Sequence, residues 1–269
     1  MGTTSAGFTL SGARWPEVEA GPRRLLVVPV GSLEQHGPHL PLDTDTRIAV
    51  AVAARACAGQ GRAGVGLAPA IAIGASGEHA DFPGTLSIGS AALATVLVEL
   101  GRHASLHWPA MLLVNGHGGN APAITAALKR LREEGRDCQV WHAGVRPGGA
   151  IDADGARGAR GAGHAEAALL PDAHAGRVET SIMLALAPDD VRLDAAAAGE
   201  TRPLAEIMDA LRASGVRHVS QNGVLGDPSG ATAAEGERLL SGLVAALAET
   251  LDQTLNALGS GAGHGAAGF

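Results

Sequence analysis

Two short apolar runs, Arg24–Val30 (RLLVVPV) and Ala110–Val114 (AMLLV), each give way to a glycine-containing polar stretch and then to a segment of helical composition. Uninterrupted apolar runs of this length mark strands buried on both faces rather than strands with one side in water. The pattern recurs along the chain. Asp45–Cys57, Ser90–His107 and Ala121–Glu134 read as helices, and Val65–Ile73 and Cys138–His142 as further strands. Such alternation implies an α/β fold with a parallel sheet covered on both faces, its ligand site at the carboxyl ends of the strands. His174–Leu186 and Ala231–Leu258 also read as helices, whereas the segment before Arg24 reads as loose. Gly148–Gly163 is expected to be a mobile loop able to cover a substrate, and Gly259–Phe269 a disordered tail. No repeat or linker interrupts the chain, so residues 1–258 are read as one domain.

Composition excludes several classes of function. The net charge of −7, without basic clusters, and the 2% aromatic content argue against nucleic acid as a partner. No apolar run approaches the length of about 20 residues that spans a bilayer, so no membrane partner is expected. Cys57 and Cys138 stand alone in separate elements, which argues against a disulfide framework and for a reducing, cytoplasmic setting.

The chemistry begins directly after the first strand. Glu34, His36 and Asp45 fall within twelve residues. In an extended segment, residues two apart project to one side, so Glu34 and His36 can aim at one point. Gly37 and Pro38 then turn the chain, and Asp45 falls where a helix begins, with Asp43 as its cap. Two carboxylates and an imidazole suit zinc, iron or manganese better than calcium. A second segment, Asn115-Gly116-His117-Gly118-Gly119-Asn120, follows the strand Ala110–Val114 and adds His117 as a fourth candidate ligand. A third, Asp172-Ala173-His174-Ala175-Gly176-Arg177-Val178-Glu179-Thr180-Ser181, holds His174 and Glu179. A helix break at Gly176 would let both reach one cleft. His39 is read as structural, and Glu78 and His79 as pocket wall.

Together these segments resemble the creatininase family of metal-dependent amidohydrolases, with its Glu-x-His-Gly-x-His stretch, a following Asp, an Asn-Gly-His loop and a His-Ala-Gly…Glu-Thr-Ser segment. The resemblance implies a three-layer α/β/α sandwich with a mostly parallel sheet, a homo-oligomer, and two divalent metal ions per subunit (Zn2+, Fe2+ or Mn2+). Finer likeness, in Pro41–Arg47, Ala75–His79 with Phe82–Thr85, and Asn222–Pro228, resembles the branch of the family that serves the mycofactocin system. Those peptidases release a modified C-terminal Val-Tyr unit from a precursor peptide. The sequence departs from creatininase at Gly119, where the family enzyme carries a metal-binding Glu, and at Ala173, where it carries another Glu. Hydrolysis of creatinine is therefore put in doubt, and the missing ligand role is carried to Glu179.

On this reading Glu34 and His117 hold one ion, His36 and Glu179 the other, and Asp45 bridges them. A water activated between the ions attacks an amide carbonyl, His174 passes the proton to the departing amine, and Asp172 positions His174. The substrate is then a peptide or a small amide. Two alternatives stand beside this one: hydrolysis of a small cyclic amide or formamide, and dinucleotide binding by Gly116–Ala121, which matches Gly-x-Gly-x-x-Ala with Asp137 as the ribose partner.

Overall fold

A computed structural model describes residues 8–59, 61–143 and 172–260. Five strands form one sheet: β1 (Phe8–Thr9), β2 (Leu25–Val30), β3 (Val65–Leu67), β4 (Ala110–Asn115) and β5 (Asp137–His142). Their order is β1-β3-β2-β4-β5, and every neighbouring pair is parallel. β2 and β4 lie centrally and all their residues are buried, which explains why they read as unbroken apolar runs.

Alternate residues of the strands feed two separate cores. Leu25 and Val27 of β2, with Leu112 and Val114 of β4, face α2 (Thr44–Cys57) and two later helices, Arg177–Leu186 and Ala233–Ser260. Leu26, Val28, Met111 and Leu113 face the opposite way, against α3 (Gly89–Ala104) and α4 (Ala121–Glu133). The result is a three-layer α/β/α architecture. Each fully buried Leu or Val contributes about 1.5–3 kcal/mol, so aliphatic side chains suffice where aromatics are scarce.

Several elements differ from the sequence reading. The strand expected over Val65–Ile73 pairs continuously only to Leu67, because Pro69 has no N–H to give to a ladder; Ile71 then makes an isolated bridge to Val30. The amino-terminal segment is structured from Phe8. β1 pairs with β3, the Phe8 ring lies 6.0 Å from that of Trp108, and at the start of α1 (Trp15–Ala20) the Glu17 carboxylate accepts the Arg14 N–H (2.7 Å). α5 spans Arg177–Leu186 rather than starting at His174. Helices α6 (Leu204–Ser214) and α7 (Val216–Val219) escaped the sequence reading and form a small apolar cluster with Leu225 and Phe82. α8 (Ala233–Ser260) includes as helix Gly259 and Ser260, which the sequence reading had given to the tail. Residues 261–269 and the expected loop at 148–163 lie outside the described residues. Among the described residues no helix is long and apolar enough to cross a membrane.

α8 packs across α2 and α5, and Gly236 sets how closely it approaches α5. A Cβ at Gly236 would stand 1.8 Å from the Ser181 carbonyl oxygen. Gly236→Ala should therefore destabilise the fold by about 1–3 kcal/mol, as overpacking does, although alanine is favoured over glycine inside helices by about 1 kcal/mol. Urea unfolding midpoints of the two proteins measure the sign.

Candidate metal centre

The carboxyl ends of β2 and β4 open onto one buried cluster. β2 ends at Val30, so Gly31–Gln35 is not strand, and simple alternation does not govern which way its side chains point. The Glu34 N–H instead donates to the Leu42 carbonyl (2.9 Å), and His36 bridges to Leu40. The chain thus folds back on itself and delivers Asp45 in the first turn of α2. Asp43 occupies the N-cap position, but its carboxylate pairs with Arg47 (2.7 Å) and makes no side-chain cap hydrogen bond. The cap expected from the sequence is lost to a stronger charged partner four residues on.

The five proposed ligands Glu34, His36, Asp45, His117 and Glu179 converge. Asp45 Oδ1 lies 3.1 Å from His36 Nε2, and Oδ2 lies 3.2 Å from His117 Nδ1 while accepting a hydrogen bond from Ser32 Oγ (2.8 Å). His117 Nδ1 is also 3.2 Å from Glu34 Oε1, and Glu179 Oε2 stands 3.9 Å from His36 Nε2. Two sets of donor atoms, Glu34–Asp45–His117 and His36–Asp45–Glu179, each fall within 4.8 Å. Asp45 belongs to both. Glu34, His36 and His174 make a third such set.

Backbone carbonyls orient the rings. His36 Nδ1–H donates to Glu34 O (3.1 Å) and His117 Nε2–H to Ala75 O (3.1 Å), so in each ring the other nitrogen faces the carboxylates. Two asparagines hold the β4 loop in place. Asn115 Nδ2 donates to His117 O (2.7 Å), and Asn120 donates to Gly31 O (2.9 Å) and accepts the Ala75 N–H (2.8 Å).

Electrostatics favour a cation here. Burial works against a charged His36, yet Asp45, Glu179 and Glu34 override it and raise its pKa to about 10. His117 is likewise raised well above its ordinary value, against burial, by Glu34 and Asp45. Burial pushes the Glu179 carboxyl up to about 7, with His36 opposing and Asp45 reinforcing. Glu34 is 0% exposed and both its oxygens lack a hydrogen-bond partner, although ring nitrogens stand 3.2, 3.4 and 3.8 Å from Oε1. A buried carboxylate left in that state is costly. Divalent metal ions fit this mixed carboxylate–imidazole donor set.

Other residues take places that the sequence did not assign. His174 sits over the cluster, its ring 4.3 Å from that of His36, and its Nε2 lies 2.7 Å from Gln35 O. Asp172 does not touch it. The Asp172 carboxylate accepts the Val178 N–H (2.7 Å) at the start of α5, so Gln35 rather than Asp172 orients His174. His79 is part of the cluster itself, with Nε2 3.4 Å from Glu34 Oε1. Glu78 Oε1 is 3.5 Å from His117 Nε2 and fills the space beside Gly119, where a Cβ would meet it at 2.3 Å. Position 119 is thus closed to a side chain, since the His117 ring (2.3 Å) and the Ala75 carbonyl oxygen (2.6 Å) crowd it together with Glu78, which reaches there from another segment. His39 is buried and bonds Thr180 Oγ1 (2.9 Å) through Nε2, a structural contact under α5. Gln35 and Asn120 had no sequence signal beyond proximity to the ligand motifs, whereas His79, read from the sequence as pocket wall, lies in the cluster itself.

The dinucleotide reading fails on topology. Asp137 pairs with Ala110 at the amino ends of β4 and β5, whereas the Gly116–Ala121 loop follows Asn115 at the other end. Five strand steps, about 17 Å, separate the two.

Fold and cluster together define an α/β protein with a candidate metal centre at the carboxyl ends of its strands, and comparison with known proteins shows its family. The family model described as creatinine amidohydrolase matches residues 11–251, and the chain belongs to the creatininase family, hydrolases that act on C–N bonds. The mycofactocin precursor peptide peptidase of Mycolicibacterium smegmatis is 49% identical over 84% of each chain. A mutant creatininase of known structure superposes with a TM-score of 0.69 at 26% identity, covering 92% of this chain and 98% of its own. A manganese form of creatininase gives 0.64 at 25% identity, over the same shares of the two chains.

Burial, reinforced by Asp227 and Glu235, raises the Asp172 carboxyl to about 6 against the pull of the Val178 and Arg177 N–H groups. A carboxyl that holds its proton more tightly in the fold than in the unfolded chain costs stability as pH rises from about 4 to about 6. Asp172→Asn keeps the acceptor for Val178 and removes the charge. Its stability relative to the parent should therefore rise across that interval, as read from urea midpoints at a series of pH values.

Proposed function

We propose that this chain is a metal-dependent peptidase acting on a mycofactocin precursor peptide, releasing its modified C-terminal Val-Tyr unit. The observation that carries the hydrolytic reading is Asp45, whose two oxygens face two separate donor sets at once. The substrate class rests on the 49% identity to the M. smegmatis peptidase. The two apolar cores share one sheet, which supports reading residues 1–258 as a single catalytic domain.

Glu34 and His117 would hold one divalent ion, His36 and Glu179 a second, and Asp45 both. Zinc, iron or manganese all suit these ligands, and a manganese form is known for a structural relative. Bound there, the ions would supply Lewis acidity and lower the pKa of a water from about 16 to about 7. The chain's own residues do the rest. Ser32 and the Glu34 and Ala75 carbonyls fix the ligands before substrate arrives. His174, buried and kept below the ordinary histidine pKa by burial and by the neighbouring His36 and His79, is neutral and able to take a proton and pass it to the departing amine. Glu78, its side chain 34% exposed and 3.5 Å from His117 Nε2, is the least buried carboxylate of the cluster.

Incubating metal-loaded protein with the modified precursor peptide and analysing it by mass spectrometry tests the substrate. The expected product is the precursor shortened by its C-terminal dipeptide; an intact precursor, with a small cyclic amide or formamide consumed instead, would return the chain to a different branch of the family. Asp45→Ala should lose both ions from a chain that otherwise binds two, as measured by elemental analysis after gel filtration. His174→Ala should retain the metal and lose turnover by roughly 100- to 10,000-fold, the range for a missing general acid–base group.

A further inference from the structure

Gln35 lies between two proposed ligands, is 5% exposed, and serves the cluster through both its side chain and its backbone. Its Oε1 accepts the Gly37 N–H (2.9 Å), which fixes the amide with Nε2 turned toward the histidines. That nitrogen carries two protons. One goes to the Gly223 carbonyl (3.1 Å), which can only accept. The other points at His79 Nδ1, 2.8 Å away, and so that ring nitrogen accepts and carries no proton. His79 therefore bears its proton on Nε2, the atom 3.4 Å from Glu34 Oε1.

The backbone of the same residue sets the other ring. His174 Nε2 lies 2.7 Å from the Gln35 carbonyl oxygen, a contact that requires Nε2–H as donor. The Gln35 side-chain nitrogen is 3.1 Å from the same Nε2, but a proton acceptor there would set lone pair against lone pair at the shorter carbonyl contact. His174 Nδ1 is thus bare, and it faces Glu34 Oε1 at 3.8 Å. The two rings lie 4.5 Å apart and present opposite atoms to one carboxylate, a donor from His79 and an acceptor from His174.

We infer that Gln35 is a positioning residue that locks His79 and His174 into complementary roles, so that one presents N–H and the other a bare nitrogen at the reaction site. The assignment adds His79 to the working residues of the hydrolase reading. It does not depend on which amide is cleaved.

Nitrogen NMR of the imidazoles in the zinc-loaded, full-length protein tests it, with ring assignments made from His79→Gln and His174→Gln. The expected wild-type spectrum shows His79 and His174 both protonated on Nε2. A proton on Nδ1 of either ring overturns the inference, whatever the outcome with the precursor peptide. In Gln35→Glu the carboxylate can only accept, so the His79 proton should move to Nδ1 while His174 stays unchanged. Gln35→Met removes the donor without adding charge and should leave His79 a mixture of tautomers. Both variants should keep the wild-type metal content, with kcat reduced roughly 10- to 100-fold and KM little changed, as for other partners that orient site histidines. A His79 proton that remains on Nε2 in both variants would show that Gln35 merely fills space.

Discussion

The centre depends on one carboxylate held between two imidazoles. Asp45 is buried, and each of its oxygens faces a different ring, His36 on one side and His117 on the other. That arrangement requires the segment after β2, the first turn of α2 and the loop after β4 to meet within a few ångströms. The adjacent central positions of β2 and β4 in a parallel sheet bring those carboxyl ends together. The hydrogen bond from Ser32 Oγ to Asp45 and that from Thr46 Oγ1 back to the Ser32 carbonyl (2.9 Å) then tie the turn to the helix.

Gathering so many acids and imidazoles in a dry site costs stability, and the surrounding structure offsets it. α5 carries Glu179 and is fixed from behind by the close approach of α8 at Gly236. At its amino end Ala175 takes φ 54°, the left-handed region that costs a non-glycine residue about 1–2 kcal/mol. The Ala175 N–H donates to Glu179 Oε2 (2.6 Å), so the strained residue is also the one that aims the carboxylate. Asp172, partly buried against the first turn of the same helix, adds a second unfavourable group that the Val178 N–H only partly compensates. The helix start is therefore shaped by the position of Glu179 more than by its own stability.

Much of this was legible from residue order. Strands β2, β4 and β5 and helices α2, α3 and α4 sit close to where periodicity and composition put them, because each satisfies its own local pattern and is then buried by its neighbours. Elements whose formation depends on distant partners were not visible. β1 is two residues long and exists because β3 has an edge to pair with, and α6 and α7 gain their apolar contacts from Phe82 and Leu225. Pro69 shortened β3 for a reason the sequence did contain, a missing donor, that its apolar composition had outweighed.

The sequence by itself determined the layered α/β fold, the family, and the residue types able to hold metal, since strand burial, helix periodicity and ligand chemistry are properties of short segments. Only the tertiary structure decided how those residues share the work. Glu78 reaches beside Gly119 from a segment some forty positions earlier, Asp172 serves a helix end instead of His174, and Gln35 faces both His79 and His174. Each of these depends on the direction of a side chain on irregular backbone. Such directions follow from long-range hydrogen bonds and close packing, for which local sequence carries no periodic signal.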